Sequence, residues 1–167
     1  MHLETFPEVP ASWRDDKLAE KWAYVREVRG VITEAMELAR AAKKIGSSLE
    51  AHPVVFFDDG YFPNLFGDVD MAEVCITSAI TIQESTPNER YVRDGVEVDF
   101  ATLYRKDVPK TGGSLSIAVD VQLASGTKCA RSWKILTSIG ADPDYPDVSP
   151  RDAKALREWE AMRKAAE

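Results

Sequence analysis

Ser125-Gly126-Thr127-Lys128-Cys129-Ala130-Arg131-Ser132-Trp133-Lys134 opens the stretch on which the architecture of the tail turns, and Asp142-Pro143-Asp144-Tyr145-Pro146-Asp147-Val148-Ser149-Pro150-Arg151-Asp152 closes it. Cys129 and Ser132 stand three apart, as do Ser149 and Asp152, with 16 residues between the pairs. That is the spacing of a two-knuckle zinc site, with one of its four cysteines left. A structural zinc needs four ligands of the thiolate or imidazole kind closing a tetrahedron. One thiol, two hydroxyls and one carboxylate are not that set, so an emptied site is expected and bound zinc is not.

The same residues have a use without metal. Ser149 is a natural helix N-cap, Pro150 fits the first helical position, and Asp152 imitates the acid of a capping box. Leu156, Trp159 and Met162 then give the expected buried stripe of a C-terminal helix. A cap stabilises by about 1 kcal/mol, whereas a structural zinc contributes on the order of 10 kcal/mol. Other packing must therefore hold the tail, and Trp133, Tyr145 and Trp159 are the candidates for an aromatic core in place of the ion.

Upstream, residues 1–17 contain Phe6-Pro7-Glu8-Val9-Pro10 and read as extended, because proline disfavours helix in the residue before it. Asp15-Asp16 offer a helix start. Leu18, Trp22, Val25, Val28, Ile32, Ala35, Ala39 and Ala42 follow at gaps of three and four. Gly46 supplies the expected stop. The helix would be about 40 Å long, a length that suits one member of a helical bundle. Its other face mixes Arg26, Arg29, Arg40, Lys43 and Lys44 with Glu20, Glu27, Glu34 and Glu37, either a solvated face laced with charge pairs or an RNA-facing edge.

The middle of the chain reads as strands with short helices. His52-Pro53-Val54-Val55-Phe56-Phe57 is an expected strand ended by Asp58-Asp59-Gly60, and residues 61–66 form a short helix or an aromatic loop. Residues 70–75 read as a short helix, followed by a strand through Ile80-Thr81-Ile82. In Tyr91-Val92-Arg93-Asp94-Gly95-Val96-Glu97-Val98 the Asp-Gly pair tolerates the positive φ of a type I′ hairpin turn. Residues 110–114 mark another loop. Leu115, Ile117, Val119, Val121 and Leu123 then alternate with Ser116, Ala118, Asp120 and Gln122, which predicts a strand with one face buried. Cys75 lies in an apolar run and reads as a small buried hydrophobe. His2 and His52 lack metal-spaced partners or a nearby nucleophile and read as structural.

The 167 residues, 44% hydrophobic and 29% charged, describe a soluble globular chain of one or two small domains. No run is long enough to span a membrane, no signal peptide is visible, and two distant cysteines suggest no disulfide framework. A cytoplasmic, reduced setting follows. A net charge of −7 argues against general nucleic-acid binding and against DNA, but leaves room for a local basic patch. Dinucleotide, P-loop, zincin and nucleophile-elbow fingerprints are absent, as are repeats.

Two flanking stretches resemble the C-terminal end of bacterial isoleucyl-tRNA synthetases. The first is His2-Leu3-Glu4-Thr5-Phe6-Pro7, Trp22-Ala23-Tyr24-Val25-Arg26-Glu27-Val28-Arg29, Ala39-Arg40 and Ile45-Gly46-Ser47-Ser48-Leu49-Glu50-Ala51. It looks like the last helical part of the family's anticodon-binding domain. The second runs from Lys128 through Lys134 and from Tyr145 through Asp152, matching the family's zinc-binding tail in frame. Residues 52–124 correspond to its more variable junction. Ser132, Ser149 and Asp152 depart from the family's cysteines, a degenerate tail of alphaproteobacterial type. The HIGH and KMSKS motifs and the editing domain are missing, so the chain reads as a fragment beginning inside the parent, with Met1 an added start.

The resemblance implies an α+β fold in three parts. These are the end of a helical anticodon-binding domain (1–50), a small α/β junction domain with a mostly antiparallel sheet (51–124), and a degenerate zinc-finger tail ending in a helix (125–167). It implies help in binding the isoleucine tRNA at its anticodon end. The ATP- and Mg-dependent joining of isoleucine belongs to the remainder of the parent, with no catalytic residue in this chain. Lys128, Arg131, Trp133 and Lys134 carry the contact expectation: three positive charges and one aromatic within seven residues. An aromatic or guanidinium plane stacks on a splayed base and lysines pair with phosphates. On the residues alone Trp133 reads equally as core with solvated cations around it; the resemblance favours contact for Arg131 and Trp133. A packing module that stabilises the parent without touching RNA is the alternative, which the acidic charge favours. A hydrolytic editing enzyme finds no nucleophile, base and orienting group to support it.

Overall fold

The computed structural model describes residues 7–57, 66–84, 91–110 and 113–166. The expectations for residues 2–6, 58–65 and 111–112 lie outside them, while Lys110, Gly113 and Ser114, expected in a loop, belong to strands. The long helix α1 spans Asp16–Ala41, 26 residues, with the Asp15 carboxylate accepting the Leu18 N–H at its start. Its end differs from the expected one. Lys43 takes the left-handed conformation (φ 57°), Lys44 N–H bonds to the Ala39 carbonyl, and Lys43 N–H to that of Arg40. This is a Schellman stop built on a lysine. Gly46, three residues on, instead donates its N–H to the Glu50 carboxylate. The early turn delivers Ile45 into the core at 3% exposure.

Four strands form the main sheet: β1 (Ala51–Phe57), β2 (Thr81–Glu84), β5 (Tyr104–Lys110) and β6 (Gly113–Leu123), in the order β2-β1-β6-β5. β2 runs parallel to β1, while β1–β6 and β6–β5 are antiparallel. Alternation along β1 and β6 sends Val55, Phe57, Leu115, Ile117, Val119 and Val121 to one face, where they share a core with Val25, Val28, Val31, Ile32, Ala35 and Met36 of α1. The helix thus buries its stripe on the sheet from Val25 onward. Its first turns do not: Leu18 and Trp22 remain exposed, with Val9 and Trp13 before them.

The other face of the sheet is covered too, contrary to a strand with one buried side. The hairpin β3 (Tyr91–Arg93) and β4 (Val96–Val98) turns through Asp94 and Gly95, both at positive φ. Tyr91, Phe100 and Leu103 pack on Val54, Phe56 and Ala118. Asp120 is consequently 4% exposed, and Arg93 Nη1 meets its two oxygens at 2.9 and 3.1 Å. Leu123, the last apolar residue of the alternation, is exposed.

Short α2 (Met71–Cys75) is capped by Asp70, whose Oδ1 accepts the N–H groups of Ala72 and Glu73. The tail follows as a small hairpin, β7 (Thr127–Lys128) with β8 (Ile135–Leu136), and the helix α3 (Pro150–Ala166). The architecture is α+β. Among the described residues no helix is long and apolar enough to cross a membrane.

Candidate functional site

The four positions of the two-knuckle spacing converge. Cys129 lies at the end of β7 and is fully buried; its Sγ accepts the Ser132 N–H at 3.4 Å, the bond of a knuckle turn. Ser149 caps α3, its Oγ accepting the Asp152 N–H at 3.2 Å and donating to Asp152 Oδ2 at 2.7 Å. The same Oδ2 accepts the Cys129 thiol at 3.2 Å. Ser132 also hydrogen-bonds the Asp152 side chain, and Arg131 Nε stands 3.7 Å from Oδ1. Ala130 N–H bonds the Asp147 carbonyl, sewing the two halves together beside the quartet.

Electrostatics follow from this crowding. Burial raises the Cys129 thiol's pKa, but the Ser132 hydroxyl and the N–H groups of Ser132, Arg131 and Ser149 aimed at the sulfur outweigh it and draw it below its ordinary value. Burial likewise opposes ionisation of Asp152, and the bonds from Ser149, Cys129 and Ser132 with the Arg131 charge overcome that and hold the carboxyl low. Asp152 is therefore the charged member of the pair, with its Oδ2 occupied by a hydroxyl and a thiol. This donor set does not fit zinc: it offers one sulfur, and among the described residues no three His, Cys, Asp or Glu side chains gather as ligands.

The aromatic core expected in place of an ion is not what fills the tail. Trp133 is 62% and Trp159 51% exposed. Only Tyr145 packs inward, with Ile139 and Leu156 around Cys129, Val148 and Ala153. The C-terminal helix buries Ala153 and half-buries Leu156, while Met162 stands 65% exposed. The tail's core is one turn of helix deep, and beyond it Arg163 lies over Trp159 at 5.2 Å. Tyr145 is fixed from outside by Arg157, 5.1 Å above its ring, which also pairs bidentately with Asp142 at 2.7 Å on both nitrogens.

The four candidate contact residues lie on one turn but face different surroundings. Trp133 has φ +64°, a left-handed backbone that is strained for a bulky side chain. Lys128 Nζ stands 5.5 Å from its ring centroid, and both side chains face solvent. Arg131, half-exposed, keeps its guanidinium beside Asp152. Lys134 points inward, its ammonium 2.6 Å from Glu73 Oε1 and only 17% exposed. Arg151 Nη1 reaches that same oxygen at 2.7 Å. Lys134 and, more weakly, Arg151 hold the Glu73 carboxyl below the usual range against its partial burial.

The residues that dock the tail were not visible as site residues in the sequence. Glu73 stands at the third position of capped α2, a place where acids are ordinary. Ser78 carried no signal at all, yet its Oγ accepts the Ile135 N–H at 2.6 Å and donates to the Leu49 carbonyl at 2.5 Å. The basic face of α1 is mostly tied within the molecule: Arg29 to the Val74 carbonyl, Arg40 to Glu37, and Lys44 to Asp120. Cys75 is buried and its thiol is pushed up to about 11 by that burial, which leaves no nucleophile there. His52 Nε2 shares a hydrogen bond with Thr81 Oγ1 between β1 and β2, a structural use.

Charge divides along the chain. Residues 125–167 hold eight Lys and Arg against seven Asp and Glu, a balance of +1, so the remaining residues carry −8 of the net −7. Trp133 lies in the part of the chain that is not acidic.

No protein-family model matches the chain. The isoleucine--tRNA ligase of Rhodopseudomonas palustris is 48% identical over 166 residues, which are 99% of this chain and 15% of that protein. That of Bradyrhizobium diazoefficiens is 49% identical over 163 residues, 97% of this chain and 14% of the relative. That of Bartonella henselae is 44% identical over 165 residues, 98% of this chain and 15% of the relative. Nearly the whole of this chain is thus similar to one segment, about 15% of the length, of these isoleucine--tRNA ligases.

Proposed function

We propose that this chain is a non-catalytic part of an isoleucine--tRNA ligase that helps hold the isoleucine tRNA at its anticodon end. The observation that carries the reading is Trp133. An exposed tryptophan in a left-handed backbone costs on the order of 1 kcal/mol, and among the described residues it is offset only by the exposed Lys128 beside the ring, not by buried packing. Strain of this kind is retained where a side chain is displayed for use. Lys128 beside the ring and Arg131 two residues before it supply the phosphate partners and a second stacking plane. Lys134 and Arg151 share one carboxylate, so this group of three charges leaves +1 at the base of the turn.

In this reading isoleucine, ATP and Mg are handled by the remainder of the enzyme, which is also the chain's protein partner. The quartet around Asp152 works without zinc. The setting is the cytoplasm, with neither DNA nor a membrane as partner. A second reading, a packing module for the parent, is favoured by the exposed Val9, Trp13, Leu18 and Trp22 at the start of α1.

Titration of labelled isoleucine tRNA with the chain at several salt concentrations separates the two. Contact predicts saturable, salt-sensitive binding that weakens about tenfold in Trp133→Ala, the range of one lost base stack. No saturable binding at low salt rejects the contact reading in favour of packing.

A further inference from the structure

We infer that Asp152 is the positioning residue of the contact turn, occupying the organising place that an ion holds in a four-ligand knuckle; this rests on the RNA-contact reading above. A tetrahedral ion joins two chain segments by collecting ligands from both. Asp152 does this from one helix: its Oδ2 takes the Ser149 hydroxyl at 2.7 Å from its own segment and the Cys129 thiol at 3.2 Å from the other. Ser132 and Arg131, also from the first segment, complete the shell around the carboxylate. These three residues bracket the turn. Cys129 begins it, its carbonyl accepts the Trp133 N–H at 3.0 Å, and its N–H bonds the Lys134 carbonyl at 2.8 Å. The backbone angle that displays Trp133 is thus fixed by a loop tied to α3 through the Asp152 carboxylate and through the Ser149 N–H aimed at the Cys129 sulfur, backed by the Ala130 to Asp147 backbone bond.

Asp152 does not face the RNA surface itself; its side chain is 15% exposed and its acceptor oxygen is filled. Its effect on binding passes through the placement of Trp133. Asparagine at this position keeps the shape and one acceptor oxygen for the thiol and hydroxyl but loses the charge, and it sets an NH2 donor against the Arg131 guanidinium where Oδ1 stood.

The test uses the full chain labelled with 5-fluorotryptophan, whose Trp133 resonance is assigned by its loss in Trp133→Phe. Asp152→Asn is expected to shift or broaden the Trp133 signal, leave those of Trp13 and Trp22 in place, and weaken isoleucine tRNA binding about fivefold. In a Trp133→Ala background the same change is expected to add less than about twofold, because it acts through the ring. The variant Ser132→Cys/Ser149→Cys/Asp152→Cys loaded with zinc is expected to return the Trp133 signal and the affinity, and chelator to remove both. This second variant decides the matter if Asp152→Asn loses the tail altogether. An unmoved Trp133 resonance, or full affinity in Asp152→Asn where Trp133→Ala is weakened, overturns the inference alone. Absence of tRNA binding by the unaltered chain overturns the contact reading and this inference with it.

Discussion

The Ser78 hydroxyl oxygen accepts the Ile135 N–H at 2.6 Å, and this bond docks the tail beside the Glu73 ion pairs. Ser78 is 5% exposed and sends its own proton to the carbonyl of Leu49, two residues before β1, so one side chain ties three segments. Ser78→Ala leaves a backbone N–H and a carbonyl without that partner. The expected cost is about 1–3 kcal/mol. Denaturant unfolding measures it, and faster exchange of the Ile135 amide shows that the loss is at the junction.

Gly126 predicts a second weak point. Its φ is +120°, and a Cβ there would lie 2.3 Å from the Leu136 carbonyl carbon. Gly126→Ala combines a backbone penalty with a clash against main chain that side-chain rotation cannot relieve. A loss of more than about 2 kcal/mol is expected, with the β7–β8 amides losing protection first.

Much of the fold was legible because its signals are local. The period-two run 115–123 gave β6, Asp94-Gly95 gave the hairpin, and Asp15 and Ser149 marked the two helix starts that the capping bonds confirm. Where the reading missed, a tertiary demand overrode the local one. Gly46 was the better residue for a left-handed stop, but burying Ile45 required the chain to turn at Lys43. The stripe Leu156, Trp159, Met162 has helical spacing, yet the tail core ends after Leu156, so two of the three face solvent. Trp133 was placed by its chemistry either in a core or on a surface, and composition alone does not distinguish these. Its 62% exposure on a strained, left-handed backbone does, and neither is written in the sequence.

That strain gives the third prediction. Trp133→Gly removes the left-handed penalty of about 1 kcal/mol and loses an exposed cation–π contact with Lys128 of about 0.5–1 kcal/mol. Folding stability is expected to change by less than about 1 kcal/mol, while tRNA affinity falls about tenfold. A large loss of stability together with unchanged affinity would mean that the ring serves the fold.

Acid titration supplies the fourth. Hydrogen bonds from Arg157 hold the Asp142 carboxyl below its ordinary 3.8, against the effect of burial. A depressed carboxyl stabilises in full above its unfolded pKa and loses that contribution as pH falls through the folded one. The Tyr145–Arg157–Asp142 brace is therefore expected to hold at neutral pH and to loosen below about pH 4. Near-ultraviolet circular dichroism of Tyr145 reads the transition, and Asp142→Asn is expected to show the loosened state at neutral pH with little further change in acid.

The central claim is that Trp133 meets the anticodon loop. Replacing Trp133 with the photo-crosslinker p-benzoylphenylalanine and irradiating the chain with isoleucine tRNA tests this contact. The account predicts a crosslink confined to anticodon-loop nucleotides and lost in excess unlabelled tRNA. Crosslinks to the acceptor arm, or none under conditions where the tRNA is bound, would contradict it.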